Sequence, residues 1–157
     1  MNDTLPDNPG VIAPPPLIFA GSLLIGLLLH KRFPARFLPR GGTRVLTGGL
    51  LVTIAALLVR QAFGEMQRAH TSPNPHEPVT TIVVDGPYRF TRNPIYLAFT
   101  LFYAGIAVIA NSLWTMLLLP LVLLIMRQGV IEREERYLER KFGDTYLRYK
   151  ESVRRWI

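Results

Sequence analysis

The sequence contains no cysteine, which removes disulfides, thiolate nucleophiles and cysteine-ligated clusters together. Histidine is nearly as scarce. His30, His70 and His76 are too few and too widely spaced for a metal centre, and they read as surface or interfacial side chains. Acidic residues number 11 against 18 Lys and Arg, a formal charge of +7 over 157 residues. That surplus lies beside apolar runs instead of forming a stripe with interleaved aromatics, which disfavours a nucleic-acid partner.

Charge is missing altogether from three stretches. Pro94 to Met126 is 33 residues without a charged side chain, Val11 to Leu29 is 19, and Val45 to Val59 is 15 between Arg44 and Arg60. An uncharged run of roughly 18 or more residues is long enough to cross the hydrocarbon layer as a helix. The 15-residue run is short, but both flanking arginines can extend toward headgroups. The longest run exceeds one crossing, and Asn111 with Ser112 near its middle predicts a tight helical hairpin. Pro120 is expected to bend its second helix. The first run lacks a basic region before it and carries Asp3 and Asp7 instead, so it reads as a retained helix and not a cleaved signal. Pro14, Pro15 and Pro16 suit its first turn, where missing backbone donors cost least.

These runs predict an all-α integral membrane protein of about four short transmembrane helices, the last two a hairpin, followed by a broken amphipathic C-terminal helix. Residues 1–63 hold the first two helices and a basic connection; residues 64–157 hold a loop, the hairpin and the amphipathic helix, within one membrane domain. The connection carries Lys31, Arg32, Arg36, Arg40 and Arg44, and Arg127 to Arg155 holds nine basic and six acidic residues. Positive charge flanking apolar spans implies anionic lipid headgroups as partners.

After Met126, Ile131, Leu138 and Phe142 recur at helical spacing. Gly143 offers a break with Asp144 as a new N-cap, and Tyr146, Tyr149, Val153 and Trp156 continue the stripe as aromatic anchors at the membrane surface. Glu134 and Glu135 fall between Ile131 and Leu138, so at least one carboxylate points along the apolar stripe. Such a group needs a partner to offset desolvation. On pattern alone, an ion pair with Arg127 or a neighbouring arginine stands ahead of a ligand site.

Between Gly64 and Asn93 the chain is polar and proline-bearing, a connection of functional length; Thr80 to Val84 reads as an extended piece. Gly86-Pro87-Tyr88-Arg89-Phe90-Thr91-Arg92-Asn93-Pro94-Ile95-Tyr96 then leads directly into an apolar helix. Taken with Glu134-Glu135-Arg136-Tyr137-Leu138, with Phe142-Gly143-Asp144-Thr145-Tyr146 and with Tyr149, this stretch resembles the isoprenylcysteine carboxyl methyltransferase and phospholipid methyltransferase superfamily of integral membrane enzymes. The resemblance covers roughly Arg60 to Trp156.

It implies S-adenosylmethionine as cofactor, bound where the loop before the hairpin meets the helix after it. Matching positions assign Thr80, Thr81, Ile82 and Val83 to the extended segment lining that site, Tyr88 to its binding tyrosine, Asn93, Pro94, Ile95 and Tyr96 to a His-Pro-x-Tyr stretch, and Glu134 to its binding glutamate. That carboxylate would take either ribose hydroxyls or the ammonium group. Asn93 stands where many members have histidine; it can hydrogen-bond but not titrate near neutrality. Val130 stands where the prenylcysteine enzymes have a substrate-binding arginine, with Arg127 or Arg133 one turn away. Arg92 and Arg133 are the acceptor-side candidates.

A sulfonium methyl is already activated, so in-line displacement needs chiefly alignment and exclusion of water, with a lipophilic or small acceptor bearing a carboxylate, thiol or lipid headgroup. Four crossings put both termini and the Gly64–Asn93 loop on one side, cytoplasmic if the cofactor is to reach it. The basic connection then falls outside, against the positive-inside tendency. Two other readings stand beside this one: a sterol-type reductase, for which no dinucleotide glycine fingerprint is present, and a non-enzymatic membrane scaffold with a basic tail.

Overall fold

The computed structural model describes residues 8–39, 41–72 and 78–157. Asp3, Asp7, Arg40 and His76 lie outside the described residues. Six α-helices are present among them, α1 (Pro15–Arg32), α2 (Thr43–Arg68), α3 (Pro94–Ala110), α4 (Leu113–Met126), α5 (Glu132–Phe142) and α6 (Asp144–Ser152), with no strand. A 3₁₀ turn spans Gly86–Arg89 and a π-helical turn spans Arg127–Ile131. Thr80 to Val84 lies outside any helix or strand.

The first four helices run alternately up and down, with α2 packed chiefly on α3 and α1 on α4. Each boundary has a local cause. Proline occupies the first turn of both α1 and α3, where its fixed φ suits the helix and no donor is lost. The hairpin turns where the sequence places it. Asn111 closes α3 in the left-handed conformation, φ +50°, and the Ser112 side chain caps α4 by accepting from the Thr115 amide at 3.2 Å. Asn111 also clamps the basic connection: its Oδ1 accepts from the amides of Phe37 and Leu38 at 3.1 and 2.9 Å, and its Nδ2 donates to the Leu38 carbonyl at 2.8 Å. A 2% exposed amide is thereby satisfied.

Helices α2 and α3 meet through glycine. A Cβ on Gly48 would lie 2.7 Å from the Gly105 carbonyl oxygen, and one on Gly105 would lie 2.8 Å from that of Gly48, so the two backbones touch with nothing between them. Phe19 of α1 meets Phe99 and Tyr103 of α3 edge-on, with centroids 5.6 and 6.3 Å apart.

Apolar side chains also face outward: Leu17, Leu46, Leu50, Leu117 and Leu121 are all more than half exposed. Two continuous helices, Thr43–Arg68 and Leu113–Phe142, are long and apolar enough to cross a membrane, and Pro94–Ala110 is a shorter apolar helix. Only 17% of the apolar window of Thr43–Arg68 is buried within the chain. A soluble core helix would be mostly covered, so this exposure belongs to a protein solvated by lipid.

The Leu113–Phe142 helix is unbroken because α4 continues through Pro120 and the π turn joins it to α5. Gly143, φ +50°, breaks the chain before α6 as expected, but it takes the N-cap position itself. Asp144 is the first helical residue and makes no capping bond. It stands where a carboxylate complements the helix dipole.

Gly105→Val should force α2 and α3 apart, since the added atoms meet backbone and not a movable side-chain tip. A loss of about 1–3 kcal/mol or more is expected, read as a lower thermal midpoint in detergent; an unchanged midpoint would contradict the packing described.

Candidate functional site

At the end of the bundle where α2 finishes and α3 begins, loop residues Thr71, Ser72, Val79 and Thr81 to Val83, the 3₁₀ turn, α5 and α6 surround an open cleft. The 3₁₀ turn is held close to α2, because Gly86, φ +60°, packs where a Cβ would stand 2.7 Å from Cγ of Glu65. That contact delivers Tyr88, 9% exposed, into the cleft wall. The Tyr88 carbonyl accepts the Tyr149 hydroxyl at 2.8 Å, tying the turn to α6.

Both carboxylates of the Glu134-Glu135 pair line the cleft, each with a different partner. Glu134 Oε1 accepts the Tyr96 hydroxyl of α3 at 2.6 Å. Glu135, 6% exposed, is gripped by arginines. Arg155 donates from Nε to Oε1 at 3.0 Å and from Nη2 to Oε2 at 2.8 Å, while Arg92 Nη1 stands 3.2 Å from Oε1. The sequence expectation of an arginine partner therefore holds for Glu135, but through Arg92 and Arg155. Arg127 instead pairs with Glu132 at 2.9 Å, because the π turn carries it to the surface.

The residues matched to the cofactor segment divide. Thr81, Ile82, Val83, Tyr88, Asn93, Pro94, Ile95, Tyr96 and Glu134 all line the cleft. Thr80 does not. Its amide donates to Thr71 Oγ1 at 3.3 Å and its hydroxyl to the His70 carbonyl at 3.0 Å, so it fastens the loop to the end of α2. Asn93 lines the cleft with its amide already committed, Nδ2 donating to the Arg155 carbonyl at 2.9 Å. Of the acceptor-side candidates, Arg92 lines the cleft, whereas Arg133 is exposed and donates to the Gly10 carbonyl at 2.8 Å.

Several wall residues have no counterpart in the sequence reading: Glu135 as a separate group, Met66, Thr71, Tyr137, and Tyr146 and Tyr149 in this role. The stripe to which both tyrosines belong predicts anchors at the membrane surface. Tyr146 is in fact 2% exposed. Burial, with Glu135 adding to it, pushes its hydroxyl from the ordinary 10.0 up to about 12. Burial likewise raises the hydroxyls of Tyr88 and Tyr149, so all three stay protonated and act as neutral hydrogen-bonding groups.

A sequence model of the family described as "Phospholipid methyltransferase" matches residues 43–145. The chain belongs to this family. Members are methyltransferases, and the match takes in α2, the loop, the hairpin and α5. Two curated proteins are similar over shorter stretches. An uncharacterized protein of Haemophilus influenzae is 60% identical over 35 residues, 22% of this chain and 56% of that protein. The protein-S-isoprenylcysteine O-methyltransferase of Schizosaccharomyces pombe is 35% identical over 72 residues, 46% of this chain and 30% of that enzyme. The chain thus matches little more than half the length of the first relative and under a third of the second. No solved structure matches.

Tyr146 supplies a pH test. Its folded pKa lies above its unfolded one, so its contribution to stability is complete below pH 10 and is lost as pH rises toward about 12. Thermal midpoints measured in detergent should fall across that window, and less steeply for Tyr146→Phe. Equal slopes for the two proteins would show that this hydroxyl is not buried as described.

Proposed function

We propose that the protein is an integral-membrane methyltransferase that uses S-adenosylmethionine and methylates a lipophilic or small acceptor, a carboxylate, thiol or lipid headgroup. The observation that carries this reading is Glu134. A carboxylate at the wall of a cleft, with a tyrosine hydroxyl as its protein partner, retains acceptor capacity for a cationic or hydroxyl-bearing ligand. The walls of the cleft combine apolar side chains with tyrosines suited to a purine.

When bound, S-adenosylmethionine supplies a methyl group already activated by its sulfonium charge. The chain's own part is to hold and to exclude. Glu134 takes the ammonium or ribose hydroxyls, oriented by Tyr96. Thr81, Ile82 and Val83 offer backbone groups to the adenine, and Tyr88 closes the wall beside them. Asn93, Pro94 and Ile95 fix the start of α3 under the cleft. None of these residues is a free base, so an acceptor ionised at neutral pH, such as a carboxylate, is favoured over a protonated amine.

The alternating helices support four crossings with the cleft facing the cytoplasm, where the methyl donor is available. The Lys31–Arg44 connection, clamped by Asn111 at the far end, then faces anionic headgroups on the other side. Because the chain has no cysteine, single exposed replacements test this directly. Arg36→Cys and Arg148→Cys should react with a membrane-impermeant thiol reagent from opposite faces of sealed vesicles; labelling from the same face would rule out four crossings.

Calorimetry on the purified protein should show binding of S-adenosylmethionine and S-adenosylhomocysteine. Glu134→Gln and Tyr88→Ala are each expected to weaken it by about tenfold, on the order of 1.4 kcal/mol. No binding by folded protein would eliminate the methyl donor, and full affinity in both variants would eliminate this cleft as its seat.

A further inference from the structure

The family match ends at residue 145, yet the chain beyond it completes the cleft. After α6 has placed Tyr146 and Tyr149 in the wall, residues 153–155 run back across the start of α3. The Arg92 amide donates to the Arg154 carbonyl at 3.0 Å, and the Thr91 hydroxyl and Asn93 amide both donate to the Arg155 carbonyl, at 3.1 and 2.9 Å. Backbone contacts of this kind fix where a strap lies. They do not by themselves concern a ligand.

The side chains do. Arg155 takes both oxygens of Glu135 in a two-point grip, the geometry to which a planar guanidinium is suited. Arg92 stands beside the same carboxylate, and the two side chains are only 9% and 8% exposed. Two guanidinium groups therefore share one nearly closed carboxylate. Glu132 does not balance the second of them: it lies 3.8 Å from Arg155, is committed to Arg127 at 2.9 Å, and makes no contact with Arg92. Because Arg155 occupies both oxygens, Arg92 gains the attraction of Glu135 without an aligned acceptor. Its Nε and Nη1 are buried with no hydrogen-bond partner. The guanidinium also faces the Tyr146 hydroxyl, and its positive charge is shared with a Glu135 that Arg155 already grips, so it is only partly offset.

Arg92 lines the cleft, and so does Glu134. The cleft thus carries a positive and a negative pole, the complement of an α-amino acid, whose carboxylate and ammonium are joined through one carbon. We propose that Arg155 is a positioning residue for ligand recognition: by gripping Glu135 it keeps the Arg92 guanidinium available to receive the carboxylate of the methyl donor, while Glu134 receives its ammonium. This rests on the methyltransferase reading above, and it moves Arg92 from the acceptor side to the donor side.

The test compares two probes on the full-length protein in detergent, S-adenosylmethionine, which has the carboxylate, and decarboxylated S-adenosylmethionine, which differs from it only in lacking that group. Wild-type protein should prefer the first by about tenfold or more, as a charge-assisted contact implies. Arg155→Gln should erase most of that preference by weakening the first probe alone, and Arg155→Lys, which keeps the charge but not the two-point grip, should fall between. Arg148→Gln, at an exposed arginine outside the cleft, should leave both affinities unchanged. If Arg155→Gln does not fold, Arg92→Lys carries the same expectation.

A loss equal for both probes would make Arg155 a mere staple of the strap and overturn the proposal, as would a preference that persists in the Arg155 and Arg92 variants. Wild-type protein that binds both probes equally overturns it too, while leaving the methyltransferase reading intact. Binding of neither probe would bring down both.

Discussion

The Glu135 carboxylate is held between guanidinium groups from the loop before α3 and from the segment after α6. It stands on α5, so three stretches remote in sequence converge on one charge. Removing that charge would leave the nearly buried Arg92 facing the partly exposed Arg155 with nothing between them, a larger penalty than the loss of a surface ion pair. The arrangement of the cleft follows from it: Arg92 is fixed in the wall, the strap lies across the start of α3, and Asn93 finds its acceptor in the Arg155 carbonyl. Glu134, one residue earlier, is released from structural duty and left to Tyr96 and the cleft.

Much of the fold was legible because a bilayer imposes simple rules. Uncharged runs give helices, and the polar pair Asn111-Ser112 in the longest run gives the hairpin, since only such residues can satisfy a turn there. The loop that meets α5 was legible through motif order, and the inward carboxylate through helical spacing. The partner of that carboxylate was not legible. Helical periodicity reports which face a residue occupies, but it is silent on which distant segment arrives there, and Arg92 and Arg155 come from segments with no periodic signal. Arg127, about two turns earlier on the same helix, lies at the surface and pairs with Glu132.

The tyrosines of α6 show the same limit from another side. An aromatic stripe at helical spacing has one appearance whether it meets headgroups or a cleft, because both environments combine an apolar body with a polar tip. Only the neighbours separate the two cases, here the Tyr88 carbonyl for Tyr149 and the Arg92-Glu135 pair beside Tyr146. Thr80 illustrates a finer difference. It belongs to the matched segment, but its hydroxyl is used to close the loop on His70, and the next three residues form the wall.

The π turn at Arg127–Ile131 separates two jobs along a single helix. In a π turn one residue more than usual is spent on a turn, so the angular phase of everything beyond it is shifted by about 100° relative to an uninterrupted α-helix. The half from Leu113 to Met126 can present its apolar side chains to lipid and to α1 in one phase, while Glu134 and Glu135 are dialled toward the cleft in another. Deleting a single residue between Arg127 and Ile131 would leave every contacting side chain in the sequence and swing both carboxylates away from Tyr96 and Arg92. The methyl-donor chemistry proposed for this chain depends on that rotational offset as much as on the identity of the residues it aims.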